Sequence, residues 1–182
     1  MRKRIKVIVV SYLLCIFTTL AVSASAYELS VPLYAQPNNS KWCWAVSAKM
    51  IGDYWYANNN RTAAQAVQYI KGNTNLSTSG NYNDHIAAIK YITHNVITYK
   101  RATTGFTDTF IKSKLNGGVP MTVGVTYSGG GGHVMVLRGY NDYFTSIYLT
   151  FNDPNGGVRQ TVHYLDFMQG TSLGNYNDHF YM

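Results

Sequence analysis

Cys43 stands in Ser40-Lys41-Trp42-Cys43-Trp44-Ala45-Val46-Ser47-Ala48, where an apolar helix is predicted to begin. A thiol in the first turn of a helix meets unpaired backbone N–H groups and the positive end of the helix dipole. Both favour the thiolate, which is the nucleophilic form. Ser40 is the predicted N-cap. The competing reading of a lone cysteine is an inert, buried side chain. A thiolate acting on an acyl group needs a base that also returns a proton to the leaving group, and a third group that orients the base. Among five histidines, His133 follows Ser128-Gly129-Gly130-Gly131-Gly132 and opens a strand-like run to Tyr140. Glycines admit a substrate backbone closely, which suits an active-site rim, although a surface histidine on a flexible hairpin has the same composition.

If His133 to Tyr140 and Ser146 to Asn152 form a hairpin centred near Tyr143, paired residue numbers sum to about 286 and Asp153 faces His133. Opposed residues share a face with Cβ atoms about 4.5–5.5 Å apart, close enough for a carboxylate to hold an imidazole. A slip of one residue puts Asn152 there instead. The run Asn152 to Gly157 also has the composition of a plain turn. Gln36 precedes Cys43 by seven residues in the loop entering the helix, where its amide N–H₂ and the Cys43 backbone N–H form a candidate oxyanion site.

The elements that must position these groups are helical first and extended later. In the central helix Trp44, Ala48, Ile51 and Trp55 share one face and Cys43, Met50 and Tyr54 another, the pattern of a buried helix. Thr62 to Gln65 matches a capping box opening a helix that runs to Lys71-Gly72. Asn83 or Asp84 is the expected cap of a third helix with Ile86, Ile89 and Ile92, and Thr107 that of a fourth with Phe110, Ile111 and Leu115. Strand patterns follow at 119–127, 133–140, 146–152, 158–165 and 179–182. Helices before an antiparallel sheet is an α+β order. The hexapeptide Gly-Asn-Tyr-Asn-Asp-His occurs at 80–85 and again at 174–179, which reads as coincidence or reused turn chemistry.

Residues 1–26 read as a secretory signal peptide: Arg2, Lys3, Arg4 and Lys6, then an apolar run, then Ala24-Ser25-Ala26 as cleavage site. Cys15 leaves with the leader, so the expected mature chain of residues 27–182 keeps one thiol and can form no internal disulfide in an oxidising compartment. Of fifteen Lys and Arg, four lie in the leader, leaving eleven against eight acids, a net charge of +3. Those charges are scattered, which argues against a nucleic-acid footprint. No histidine pair has the H-E-x-x-H spacing of a zinc site. No metal, cofactor or stable membrane anchor after leader removal is expected. The mature length suits one catalytic domain, with a helical half at about 38–116 and a sheet half at about 117–182.

The stretch Gln36 to Met50, with Trp42-Cys43-Trp44-Ala45, then Gly132-His133-Val134 to Gly139-Tyr140, then Asn152-Asp153-Pro154, resembles the papain-like cysteine peptidases. It is most similar to the bacterial branch of secreted staphylococcal proteases, plant-pathogen effector proteases and leader peptidases of bacteriocin exporters. The resemblance spans nearly the whole mature chain. It implies a substrate cleft between a helical half carrying Cys43 and a sheet half carrying His133 and Asp153. It assigns Cys43 as nucleophile, His133 as base and acid, Asp153 as orienter and Gln36 as oxyanion donor, acting on a polypeptide substrate. Two departures stand out: the Gln36 to Cys43 gap is one residue longer than usual, and no long inhibitory segment precedes Tyr34. The second leaves control to narrow specificity or a separate protein inhibitor. Shared acyl-enzyme chemistry also fits a cell-wall amidase or endopeptidase, a deamidase or a transpeptidase. A non-catalytic binding protein on the same scaffold is the reading of another class.

Overall fold

The computed structural model describes residues 25–57, 59–143 and 146–182. Of the expected leader, residues 1–24 lie outside the described residues, while Ser25 and Ala26 belong to strand β1 (Ser25–Glu28). Four helices precede most of the sheet: α1 (Cys43–Trp55), α2 (Ala63–Lys71), α3 (Tyr82–Ile92) and, after strand β2 (Lys100–Ala102), α4 (Asp108–Asn116). Strands β3 (Met121–Thr126), β4 (Gly132–Tyr143), β5 (Ser146–Asp153) and β6 (Val158–His163) follow, then the short α5 (Tyr164–Met168) and β7 (Asn175–Tyr181). The architecture is α+β, as its order of patterns predicts.

Helix α1 is buried almost all round, with Trp44, Val46, Ala48, Met50 and Ile51 in the core. It packs against α2 and α3 on one side and against β4 on the other. Its N-cap is Trp42, and the expected Ser40 cap does not form. Tertiary anchors replace a side-chain cap: the Trp42 indole donates to the Asn75 carbonyl at 3.0 Å and Lys41 N–H to that of Leu76 at 2.7 Å. Ser40 instead closes a turn on Pro37. Thr62 and Gln65 form the expected capping box of α2, and Thr107 caps α4. For α3 the cap is Asn81 rather than Asn83 or Asp84. Asp84 occupies the third helical position and accepts a hydrogen bond from the Asn81 backbone, which makes it the carboxylate of a capping box.

Among the described residues, seven strands form one antiparallel sheet in the order β2-β7-β3-β4-β5-β6, with β1 also paired to β4. The long β4 carries β3 along residues 132–137 and β1 along residues 139–142. Gly139 permits that change of neighbour, because a Cβ there would stand 2.6 Å from the Tyr27 carbonyl oxygen. Beyond β1 the chain stays bound to the sheet: Glu28 pairs with the buried Arg138 at 2.5 Å, Leu29 exchanges backbone and side-chain bonds with the same residue, and Asn152 donates to the Val31 and Pro32 carbonyls. Strands β1 and β2 and helix α5 are too short to leave a periodic signature. Among the described residues no helix is long and apolar enough to cross a membrane.

The two copies of Gly-Asn-Tyr-Asn-Asp-His adopt different structures: the first starts α3 and the second runs through β7. Both end in a buried histidine, and burial pushes His85 and His179 from 6.5 down to about 4, with a hydrogen bond to the Trp44 carbonyl opposing the effect at His85. As pH falls below 6.5 the unfolded chain takes up protons that the folded chain refuses, so stability declines until about pH 4. The contribution of His85 alone is on the order of 3 kcal/mol. Urea midpoints measured from pH 7 to pH 3.5 are expected to fall through this window. A flat profile would mean that neither histidine is held neutral by the fold.

Candidate active site

Cys43 is the first residue of α1 and half-buried, so its backbone N–H has no partner within the helix. Facing it from the sheet is His133, second residue of β4, which pairs in register with Val125 of β3. The imidazole Nε2 lies 2.6 Å from Asp153 Oδ1 and so donates to the carboxylate, which leaves Nδ1 for the thiol. Asp153 is itself fixed by two further donors, the Asn155 backbone N–H at 2.7 Å and Gln160 Nε2 at 2.6 Å. Burial works to lower the pKa of His133. The hydrogen bonds and charges of Asp153 and Cys43 outweigh it and raise the value to about 9, as opposite charges at contact distance do.

His133 and Asp153 thus meet, but not through the predicted register. Pairs in the β4–β5 hairpin, such as Tyr140 with Leu149, sum to 289, and a bulge at Arg138 shifts the far end to Val136 opposite Asn152 and Leu137 opposite Phe151. Continuing that register sets Asp153 opposite Met135, two residues from His133 and on the same face. The carboxylate therefore reaches the imidazole as a diagonal neighbour. Asn152 belongs to the other face and spends its amide on the Val31 and Pro32 carbonyls, so it does not touch His133. The pair nearest the turn, Tyr143 with Ser146, already sums to 289, so the hairpin is centred beyond Tyr143, and the bulge then takes back one position of the difference.

Gln36 lies in the segment that leads into α1 and lines the same cleft as Cys43. Its backbone N–H donates to the Pro154 carbonyl at 2.7 Å, and its Nε2 to the Ser40 carbonyl at 2.7 Å. One N–H of the amide is thereby committed and the other is free. Gln36, Cys43 and His133 line a cleft of about 560 Å³ between the helices and the sheet. The glycine loop supplies part of its rim through Gly131 and Gly132, with φ of 87° at Gly130 and 85° at Gly131. Tyr127 stacks near His133 at 6.3 Å between ring centres.

Three parts of the cleft carry no catalytic motif in the sequence, although the two copies of the repeated hexapeptide supply Gly80, Asn81, His85 and Asp178 to them. Ser79, Gly80 and Asn81 form the wall ahead of α3, and Gly80 lies flat on the Trp44 ring with no room for a Cβ. Asp178 closes the far end, filling the space above Gly124 and bonded to Arg101 Nε at 2.6 Å; the Arg101 guanidinium in turn covers the Tyr82 ring at 4.2 Å. The third part is His85 beneath the floor. Apart from that repeat, which reads as turn chemistry, only the missing Cβ atoms of Gly80 and Gly124 mark these places, and a single glycine in a polar loop or a strand more often serves a turn or a bulge than a cleft wall. Among the described residues no three His, Cys, Asp or Glu side chains gather as ligands for a metal ion.

A family model, that of the Peptidase_C39 like family, matches residues 28–178. Among solved structures, that of a C39-like peptidase from Bacillus anthracis superposes with a TM-score of 0.61 at 18% identity, covering 87% of this chain and 98% of that one. A structure from the mite allergens Blo t 1 and Der p 1 superposes with a TM-score of 0.57 at 14% identity, covering 90% of this chain and 72% of that one. At such identities the likeness is one of fold, and the fold is papain-like. No curated protein is significantly similar in sequence.

The raised pKa of His133 has a defined sign. Stability contributed by its proton is complete below pH 6.5 and is lost as pH rises through about 9. Proton NMR of the His133 ring is expected to give a midpoint near 9 that drops in Asp153→Asn and again in Cys43→Ser. A midpoint near 6.5 in the unaltered protein would show that neither partner holds the imidazolium.

Proposed function

We propose, because this chain belongs to the Peptidase_C39 like family, that it hydrolyses peptide bonds through a thioester acyl-enzyme formed on Cys43. Its fold is that of a cysteine peptidase. The observation that carries the reading is a single imidazole, that of His133, shared between Asp153 at 2.6 Å and the thiol at the head of α1, on the wall of a cleft. In this reading the Cys43 thiolate attacks the substrate carbonyl carbon and the C=O electron pair moves onto oxygen. The backbone N–H of Cys43 and the free amide N–H of Gln36 receive that charge. Collapse of the adduct breaks the C–N bond as the His133 imidazolium protonates the departing amine. Water then attacks the thioester, giving a proton back to His133, and the acid product leaves as the thiolate is restored. Asp153 keeps the ring oriented throughout and stabilises its charged form.

The longer gap between Gln36 and Cys43 is taken up by the turn from Pro37 to Ser40, which folds the amide back toward the helix. This geometry supports the oxyanion role despite the departure in spacing. The proposed site of action is outside the cell, on polypeptides, after removal of residues 1–26. Restraint on its activity is assigned to narrow specificity or to a separate protein inhibitor.

The test is hydrolysis of a denatured protein by residues 27–182, with and without a thiol-directed epoxide whose attachment is mapped by mass spectrometry. Turnover is expected, together with its complete loss on labelling at Cys43. Cys43→Ala and His133→Ala are expected to abolish activity, and Gln36→Ala to lower kcat by roughly 10²-fold with KM little changed. Labelling at Cys43 with cleavage of purified peptidoglycan but not of protein would replace the peptidase reading with a cell-wall one. A folded protein that neither labels nor turns over would be a binding protein.

A further inference from the structure

Cys43 and His133 belong to different layers, so their alignment depends on how the first turn of α1 is seated on the sheet. That contact is apolar over most of its area, yet two polar links cross it close to the site. Ser47, one turn beyond Cys43, donates from its buried hydroxyl to the carbonyl of Val134, the residue after His133, at 2.9 Å. The second link runs through His85. Its Nδ1 lies 2.6 Å from the Trp44 carbonyl, one residue after Cys43, and its Nε2 lies 2.7 Å from the hydroxyl of Thr122 on β3. A carbonyl only accepts, so Nδ1 carries the proton, Nε2 accepts, and Thr122 donates. Both ring nitrogens are used, and the ring is 1% exposed with Phe180 edge-on at 5.0 Å between centres.

We infer that His85 is a positioning residue for the chemistry at Cys43: by bridging the Trp44 carbonyl to Thr122 it fixes the height and rotation of the first turn of α1 over the strands that carry His133. This inference rests on the reading of Cys43 as a nucleophile activated by His133. A neutral, fully bonded imidazole in an apolar seam contributes direction that packing alone does not supply, because hydrogen bonds have a narrow range of length and angle and dispersion contacts do not. Burial, which keeps this ring neutral down to about pH 4, preserves the donor and acceptor assignment through neutral and mildly acidic solution. His85 itself lies beneath the cleft floor and touches the reaction only through Trp44.

The experiment compares unaltered protein with Thr122→Val, His85→Leu and His85→Asn, each first shown to unfold cooperatively. Thr122→Val removes one arm at constant shape. His85→Leu removes both, and His85→Asn keeps an amide N–H where Nδ1 stood. Two quantities are read: kcat and KM on a denatured protein, and the pH dependence of Cys43 alkylation by iodoacetamide, which needs no substrate. Thr122→Val and His85→Leu are expected to lower kcat by roughly tenfold or more, the scale of a small misplacement of reacting groups, with KM nearly unchanged. Their alkylation profiles should shift toward that of a free thiol, and His85→Asn should recover part of both effects. Cooperatively folded variants with the kcat and alkylation profile of the unaltered protein would reduce His85 to a core residue and overturn the inference. If the unaltered protein cleaves no polypeptide, the peptidase reading fails separately, and the alkylation profiles still decide the role of His85.

Discussion

A thiol at neutral pH becomes a good nucleophile when something nearby takes and keeps its proton, and in the proposed reading that role falls to an imidazole on a different layer of the fold. The helix that begins at Cys43 is buried on nearly all sides, so it has little freedom to tilt. The imidazole is held from behind by Asp153, whose remaining valence is taken by Asn155 and Gln160. The result is a polar chain whose centre, His133 and Asp153, is buried and in which each member is satisfied by the next, the condition under which such networks fix a geometry rather than weaken it.

The same region shows how a short entry segment can be as important as a core helix. Residues 27–36 make few regular backbone pairs, yet they supply the partner for buried Arg138, the acceptors for Asn152 and the contact to Pro154. Asn152 and Pro154 flank Asp153, so the strap that delivers Gln36 to the cleft also fixes the chain on both sides of the carboxylate. Removing Glu28 would leave a guanidinium in the sheet with one carbonyl for company, the costly kind of unpaired burial.

Much of this was legible in residue types and spacing. Four helices and five strands could be placed from periodicity and caps, because Thr62, Gln65 and Thr107 are local signals that tertiary structure did not overrule. Ser40 was a misleading one: the anchors that begin α1 come from Asn75 and Leu76, on a distant loop no local rule can see. The proximity of His133 to Asp153 was visible, but for an inexact reason, since the hairpin is centred beyond Tyr143 and the bulge at Arg138 recovers only part of the difference, which leaves the contact diagonal. The repeated hexapeptide gives the sharpest limit. The same six residues lead into a helix at 80–85 and into a strand at 174–179, so their preferences decide nothing, and packing against α1 in one case and between β2 and β3 in the other decides everything. His85 was invisible for the same reason: its importance lies in Trp44 and Thr122, neither of which is near it in sequence.

The stitching of the entry strap to the turn after β5 also bears on when the site can come into being. Gln36 leaves the ribosome early, but the carbonyl that holds its backbone belongs to Pro154, and the amide that anchors Val31 and Pro32 belongs to Asn152. These are among the longest-range closures in the molecule, and such closures form late because their entropic cost precedes their reward. The helical half can therefore assemble while Cys43 still lacks His133, Asp153 and a settled Gln36 beside it. The cleft is complete only with the last hairpins, so under the proposed function the order of folding is itself a delay between synthesis and reactivity.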